Sequence, residues 1–296
     1  MYHLSGGNNK IELITNVFLN TDTDLQEANN WKEKIISILK KVPSKAEVLK
    51  PAIQFLAVAL KPSKIYMVQH NDEEDVPDKY FSLLIVTPTS STEQETVLSI
   101  AYLTNKNVYF SIHNEGNVIE KIKTGHPYYA LNFIPENIVY DNNQTVYPVA
   151  TSEQSALARQ TARETFMIGF LKAKRFLACA ENEFNEGQNE VALFMLHQAI
   201  ELVCRAITKS LSGFEEKVHE IKIQRSHIRR FAPELLSIFD EEKNDDKKLL
   251  EILEKGYKDA RYNYGFKTDE NIMPLLFTKI KLFQDMALKI MERITG

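Results

Sequence analysis

His197, Glu201 and Arg205 follow one another at four-residue intervals, which places an imidazole, a carboxylate and a guanidinium along one flank of a helix. Such a row can line a polar groove that holds a nucleotide or another anion. The pattern fits better a row that closes on itself as a capped edge of a core, with His197 hydrogen-bonded to Glu201. Ile200 and Cys204 flank it, so partial burial of His197 is expected in both cases. A second crowd stands further along the chain: Tyr257, Asp259, Arg261, Tyr262 and Tyr264. Arginine among tyrosines can bind phosphate and stack on a base, and the same residues suit a subunit interface. With Gln198, the candidate ligand-binding set is His197, Gln198, Glu201, Arg205, Tyr257, Asp259, Arg261 and Tyr262.

Other reactive residue types are less organised. Lys222, Arg225, His227, Arg229 and Arg230 form the most basic stretch, with Ile221, Ile223, Ile228 and Phe231 interleaved. That alternation fits a solvated helix face better than a nucleic-acid contact. His70, His113 and His126 have no paired ligand spacing, and the acidic run Asp72-Glu73-Glu74-Asp75 reads as a solvated turn. Cys179 and Cys204 fall in amphipathic patterns and are expected to be buried free thiols. No metal, cofactor or catalytic constellation is expected.

These residues need elements to hold them. Leu25, Ala28, Trp31, Ile35, Leu39 and Val42 recur at helical period, and a second helix is expected over 46–60, with Pro51 in its first turns. Apolar runs at 65–68, 81–86 and 108–112 read as strands. A helix over 93–103 separates the last two, and 138–140 reads as an edge strand. A polar loop follows at 141–144. Beyond it the chain reads as helix. Phe166, Phe170, Ala173, Leu177 and Ala180 make one stripe, ended by Gly187. Val191, Phe194, Ile200, Val203, Cys204, Ile207 and Leu211 make the next, ended by Ser212-Gly213. Ser226 is placed to cap a short helix reaching Phe239, Asp245 or Asp246 to cap another from 247 to 264, and a last helix covers 271–294. Four long helices with mostly short connections favour an up-down bundle.

Three phrases in the second half, Phe194 to Glu201, Ser226-His227-Ile228 with Leu235-Leu236, and Tyr257 to Tyr262, are together similar to the HEPN family (higher eukaryotes and prokaryotes nucleotide-binding). Phe194-Met195-Leu196-His197-Gln198-Ala199-Ile200-Glu201 resembles its aromatic, His-Gln-Ala-x-Glu helix. Ser226-His227-Ile228 with Leu235-Leu236 resembles its Thr-His-Asp-Leu segment. Tyr257-Lys258-Asp259-Ala260-Arg261-Tyr262 resembles its late Asp-Ala-Arg-Tyr helix. The resemblance implies an antiparallel all-α HEPN bundle over 151–296, preceded by a small mixed α/β nucleotidyltransferase-like domain over 1–150, an α+β protein in all. It also implies a homodimer. Gly125-His126-Pro127-Tyr128-Tyr129 resembles the end of the first domain.

The departures bear on activity. Gln69-His70 stands where a nucleotidyltransferase has Gly-Ser, and Tyr80 or Phe81 and Ser82 stand where its aspartates belong. Two magnesium ions need such carboxylates. Arg261 fits the arginine of HEPN ribonucleases, but no histidine follows it; the last is His227. The general base for 2′-hydroxyl attack is then missing. The resemblance therefore implies a non-catalytic, two-domain protein that binds a nucleotide, RNA or a protein partner, in the manner of toxin–antitoxin or defence components. The rival readings are a metal-independent ribonuclease using Arg261 with Tyr264, and a structural assembly module.

Bulk properties agree with an ordinary globular chain. Of 296 residues, 44% are hydrophobic and 26% charged, and the net charge of -4 argues against non-specific binding of a polyanion over the whole surface. The N-terminal stretch has no signal-peptide pattern, and no run approaches the roughly 20 apolar residues of a membrane span. A cytoplasmic protein is expected.

Overall fold

The computed structural model describes residues 49–70, 80–89, 97, 107–215, 217–263, 267–268 and 270–296, with the backbone alone at 261, 262 and 270. The helix expected over 25–42, the acidic run at 72–75 and Tyr264-Gly265 lie outside the described residues. So does the helix expected over 93–103, apart from Val97, which is helical and buried. The described residues divide into two compact units. Of the described residues, the first holds 49–69, 80–89, 97, 107–124 and 132–149; the second holds His70, 125–131 and those from 150 onward.

The first unit is a four-stranded mixed sheet of order β3-β2-β1-β4. Its elements are α1 (Lys50–Leu60), β1 (Lys64–Gln69), β2 (Phe81–Thr87), β3 (Val108–Asn114), α2 (Glu115–Lys123) and β4 (Ile138–Asp141). β1 runs antiparallel to β2 and to β4, with Lys64 facing both Val86 and Asp141. β2 and β3 are parallel, Phe81 facing Val108. All seven residues of β2 are buried, as expected of a central strand covered on both faces. Leu49, Ile53 and Leu56 pack with Ile65, Leu83, Ile85, Val108 and Phe110 in one core. The helix α1 stops where Lys61 takes a left-handed conformation (φ 45°) just before Pro62, which cannot continue it. On the other side of β1, Tyr66 lies 5.0 Å from Phe133.

The second unit is a helical bundle. Its long helices are α4 (Ser152–Asn185), α5 (Asn189–Ser212), α7 (Asn244–Tyr262) and α8 (Met273–Thr295). Shorter ones are α3 (Pro127–Asn132), which begins in this unit, and α6 (Ile221–Ile228), with a 3-10 turn over Pro233–Phe239. The segment resembling the tail of the first domain clusters here instead, where the His126 ring bonds the Ser212 carbonyl at 3.0 Å and Tyr128 meets Phe231 edge-on.

The pairing of α4 with α5 is the most extensive in the bundle. Phe166, Phe170, Ala173, Leu177 and Ala180 are all buried along it, the i, i+4, i+7 stripe of a packed helix. Close approach depends on Gly169: a Cβ there would stand 2.7 Å from the Ala206 Cβ. Gly213, at φ 69°, ends α5 as a left-handed cap. Among the described residues α5 is also the one helix long and apolar enough to cross a membrane, although no such run was expected. Within its most apolar window, 67% is buried in the bundle.

Several expectations need correcting. Val191 is exposed, because it falls on the outward face of the first turn of α5, whose inward face buries Asn189, Ala192 and Leu193. Ser226 caps nothing: α6 begins five residues earlier, and the Ser226 hydroxyl donates to the Ile223 carbonyl inside it. Neither Asp245 nor Asp246 is the cap of α7, whose Ncap is Lys243. Both lie in its first turn, and Asp246 bonds Lys279 at 2.6 Å. Arg225 is no part of a solvated face; it is 3% exposed.

Cys204 is buried as expected, and burial pushes its thiol up to about 12. Cys179 is exposed, since it lies two residues past Leu177 and off the buried stripe. Native protein treated with a thiol reagent at pH 8 should therefore label at Cys179, with Cys204 reacting only after denaturation. Rapid loss of both thiols in the native state would contradict this packing.

Candidate functional site

Helix α5 extends the predicted row by one member: His197, Glu201, Arg205 and Lys209 lie on one flank. His197 is fully buried and Glu201 is 1% exposed, deeper than the partial burial expected. Buried charge needs partners, and here they come from α5 itself and from the connection that follows it. Arg205 Nη1 donates to Glu201 at 3.0 Å and its Nη2 to Glu215 at 2.5 Å. Lys209 also reaches Glu215, at 2.9 Å. His219 Nδ1 lies 3.1 Å from Glu201 Oε1. Gln198 donates to Glu201 at 3.0 Å.

The expected His197–Glu201 hydrogen bond does not form. His197 Nδ1 is 3.8 Å from Glu201 and its Nε2 is 3.9 Å from Glu254, ion-pair rather than hydrogen-bond distances. Gln198 Nε2 comes nearer, 3.4 Å from His197 Nδ1. The backbone N–H of Lys222 donates to Glu254 at 3.0 Å. Burial raises the Glu254 carboxyl, but His197 and that N–H outweigh it and hold it below the usual range.

Rings complete the cluster. Tyr257, on α7, stacks with His197 at 4.4 Å and 18°, with His219 at 5.5 Å and 24°, and with Phe194 at 5.8 Å and 12°. The close packing of α7 against α5 rests on Gly256, where a Cβ would fall onto the Leu193 side chain. An aromatic face, a buried acceptor carboxylate and a cation pair thus share one flank.

The predicted set divides. His197, Gln198, Glu201, Arg205 and Tyr257 come together. Asp259 reaches Lys255 instead, at 4.0 Å along the same helix. Arg261 and Tyr262 close α7, and their side chains lie outside the described residues. Four members were missed. Lys209 continues the four-residue row and Glu254 precedes Tyr257 by three, so helical spacing could have found both. Glu215 and His219 stand on a connection without periodicity and carried no such signal.

The first unit holds another polar cluster. Glu115, in the first turn of α2, accepts from Ser63, Thr145 and Tyr147. Lys64 pairs with Asp141, and its ammonium lies 5.0 Å from the centre of the Tyr147 ring. They border a shallow cleft of about 270 Å³ lined by Tyr66, Phe133, Tyr147 and Pro148 among others. Its charges neutralise one another. β2 and β3 contain no Asp or Glu. Among the described residues no group of three or more His, Cys, Asp or Glu side chains is placed to hold a metal ion.

The sequence of residues 169–293 matches the HEPN domain family. No curated protein matches. Among solved structures, the chain is similar to a nucleotidyltransferase-like protein from Exiguobacterium sibiricum 255-15, with 14% identity, a TM-score of 0.28, and 79% of this chain and 72% of that one covered.

Proposed function

With residues 169–293 as a HEPN domain, we propose that this is a non-catalytic, two-domain binding protein whose bundle takes a nucleotide or a nucleotide of RNA on the α5–α7 flank. The observation that carries the reading is the Tyr257 ring, stacked between helices beside the Glu201 carboxylate and the Arg205 guanidinium. A ring stacks on a base, a carboxylate accepts from its amino group, and a guanidinium binds phosphate. The acids and bases of this flank are committed to one another by ion pairs and hydrogen bonds, which suits recognition better than proton transfer. The protein acts as a cytoplasmic homodimer in this reading, in a toxin–antitoxin or defence setting.

Thermal denaturation of the full chain with millimolar nucleotides or short RNA tests it. A ligand at 100 times its Kd stabilises the native state by about 2.7 kcal/mol, several degrees in melting temperature for a bundle of this size. RNA incubated with the protein should stay intact. Cleavage that disappears in Arg261→Ala would establish the ribonuclease reading instead. No shift with any nucleotide or RNA would leave an assembly module.

A further inference from the structure

The site described above is covered by its own chain. Residues 214–220, of which 216 lies outside the described residues, stand in sequence between α5 and α6, and Glu215 and His219 among them contact side chains of the α5 flank. Two of their side chains make the contacts that matter. The Glu215 carboxylate bridges Arg205 and Lys209, at 2.5 and 2.9 Å. The His219 ring lies against Tyr257 and places Nδ1 within 3.1 and 3.3 Å of the two Glu201 oxygens.

The two layers differ in exposure. The Glu215 and His219 side chains are 36% and 52% exposed, whereas Glu201 beneath them is 1% exposed. Phe214, which opens the connection, is 61% exposed. The outer layer is held mainly by charge in contact with water, where ion pairs are weak. The inner layer is built into the bundle.

The chemistry of the outer layer is specific. It presents an anion to a guanidinium–ammonium pair, and next to it a planar nitrogen ring set on a tyrosine and against a carboxylate. Arg205 and His219 share the same Glu201 oxygen, so the anion and the ring are held side by side. A nucleoside monophosphate with an exocyclic amine offers the same groups: a phosphate, a flat base and an N–H donor. We propose that residues 214–220 are an internal strap that imitates such a nucleotide, and that ligand enters by displacing it. Phosphate then replaces the Glu215 carboxylate on Arg205 and Lys209. The base replaces the His219 imidazole on Tyr257 and donates to Glu201. The inference rests on the nucleotide-binding reading and adds the ligand class and the competitor.

A site open only a fraction of the time shows an apparent Kd raised by the inverse of that fraction. Releasing the strap should therefore tighten binding. The test is titration calorimetry of the full-length protein with adenosine 5′-monophosphate, comparing wild type with Glu215→Gln/His219→Ala. The double variant should bind about tenfold tighter or better, and adding Arg205→Ala should abolish the gain. Inorganic phosphate should bind far more weakly than the nucleotide. Equal affinity in wild type and double variant would overturn the strap while leaving nucleotide binding intact. Binding of phosphate as tightly as nucleotide, or a gain that survives Arg205→Ala, would overturn the assigned ligand. Failure of both proteins to bind nucleotide would end both readings. Circular dichroism checks the fold, and Glu215→Gln alone serves if the double variant does not fold.

Discussion

Arg225→Met should destabilise the protein by about 2–4 kcal/mol, because it leaves two backbone carbonyls inside the fold without their donor. The side chain is 4% exposed, and burial works against its charge. It persists because its guanidinium donates to the Leu236 carbonyl at 3.1 Å, the Phe239 carbonyl at 2.5 Å and Glu241 at 3.0 Å. Those carbonyls belong to the 3-10 turn of Pro233–Phe239, which brings Leu235, Ile238 and Phe239 into the core. Methionine fills similar space but satisfies none of these acceptors, and each buried carbonyl left unpaired costs about 1–3 kcal/mol. Glu241 is 46% exposed, so Glu241→Gln should cost no more than about 1 kcal/mol. Urea unfolding of the two variants measures the contrast. A cost below about 1 kcal/mol for Arg225→Met would contradict the anchoring role.

Acidification should weaken the fold through His70. Its side chain is buried in the second unit, and burial, reinforced by the positive charge of Arg293, lowers its pKa from 6.5 to about 3. The native state thus holds the neutral ring over a range where the unfolded chain is protonated. Protons bind preferentially to the unfolded chain between those values, so stability rises with pH there. The contribution is complete above pH 6.5 and is lost progressively as pH falls towards 3. One pKa unit corresponds to about 1.4 kcal/mol, so moving from pH 6.5 to 5 should cost about 2 kcal/mol. Other groups titrate too: Glu254 and Asp246 have lowered pKa values, and that of Glu234 is raised. Comparison with His70→Gln cancels their shared contribution. Urea midpoints at pH 6.5 and 5 should fall more steeply in wild type than in His70→Gln. Parallel falls would mean that His70 is protonated as readily in the native state as in the unfolded chain.

Local patterns were enough wherever structure depends on near neighbours. The β-branched runs at 65–68, 81–86 and 108–112 became β1 to β3, and the Phe166–Ala180 stripe became the buried face of α4. Gly187 and Gly213 take the positive φ that helix ends demand. The start of α4 was legible but overlooked. Thr151 and Gln154 form a reciprocal capping box, at 3.1 and 3.0 Å, and that Thr-x-x-Gln spacing is visible in the chain.

Other features depend on distant residues. Arg225 looked solvated because a row of basic residues around isoleucines suggests an exposed face. Its burial is decided by carbonyls 11 and 14 residues away. The candidate site follows the same rule. The α5 row was readable from its spacing, and Tyr257 from its neighbours. The stacking of His197 and His219 on Tyr257, and the bridge from Glu215 to two cations, arise only when separate segments meet. Cys179 shows the reverse limit: an amphipathic stretch predicts that a helix has a buried face without fixing every residue's place around it.

In the proposed function the Tyr257 ring is the surface that receives a base. Titration of the full-length protein with adenosine 5′-monophosphate, comparing wild type with Tyr257→Ala and Tyr257→Phe, addresses it most directly. Heat of binding should appear in wild type and persist in Tyr257→Phe, which keeps the ring face. In Tyr257→Ala it should weaken by about tenfold or more, since a lost base–aromatic stack is worth about 1–3 kcal/mol. The same affinity in wild type and a folded Tyr257→Ala would contradict the account.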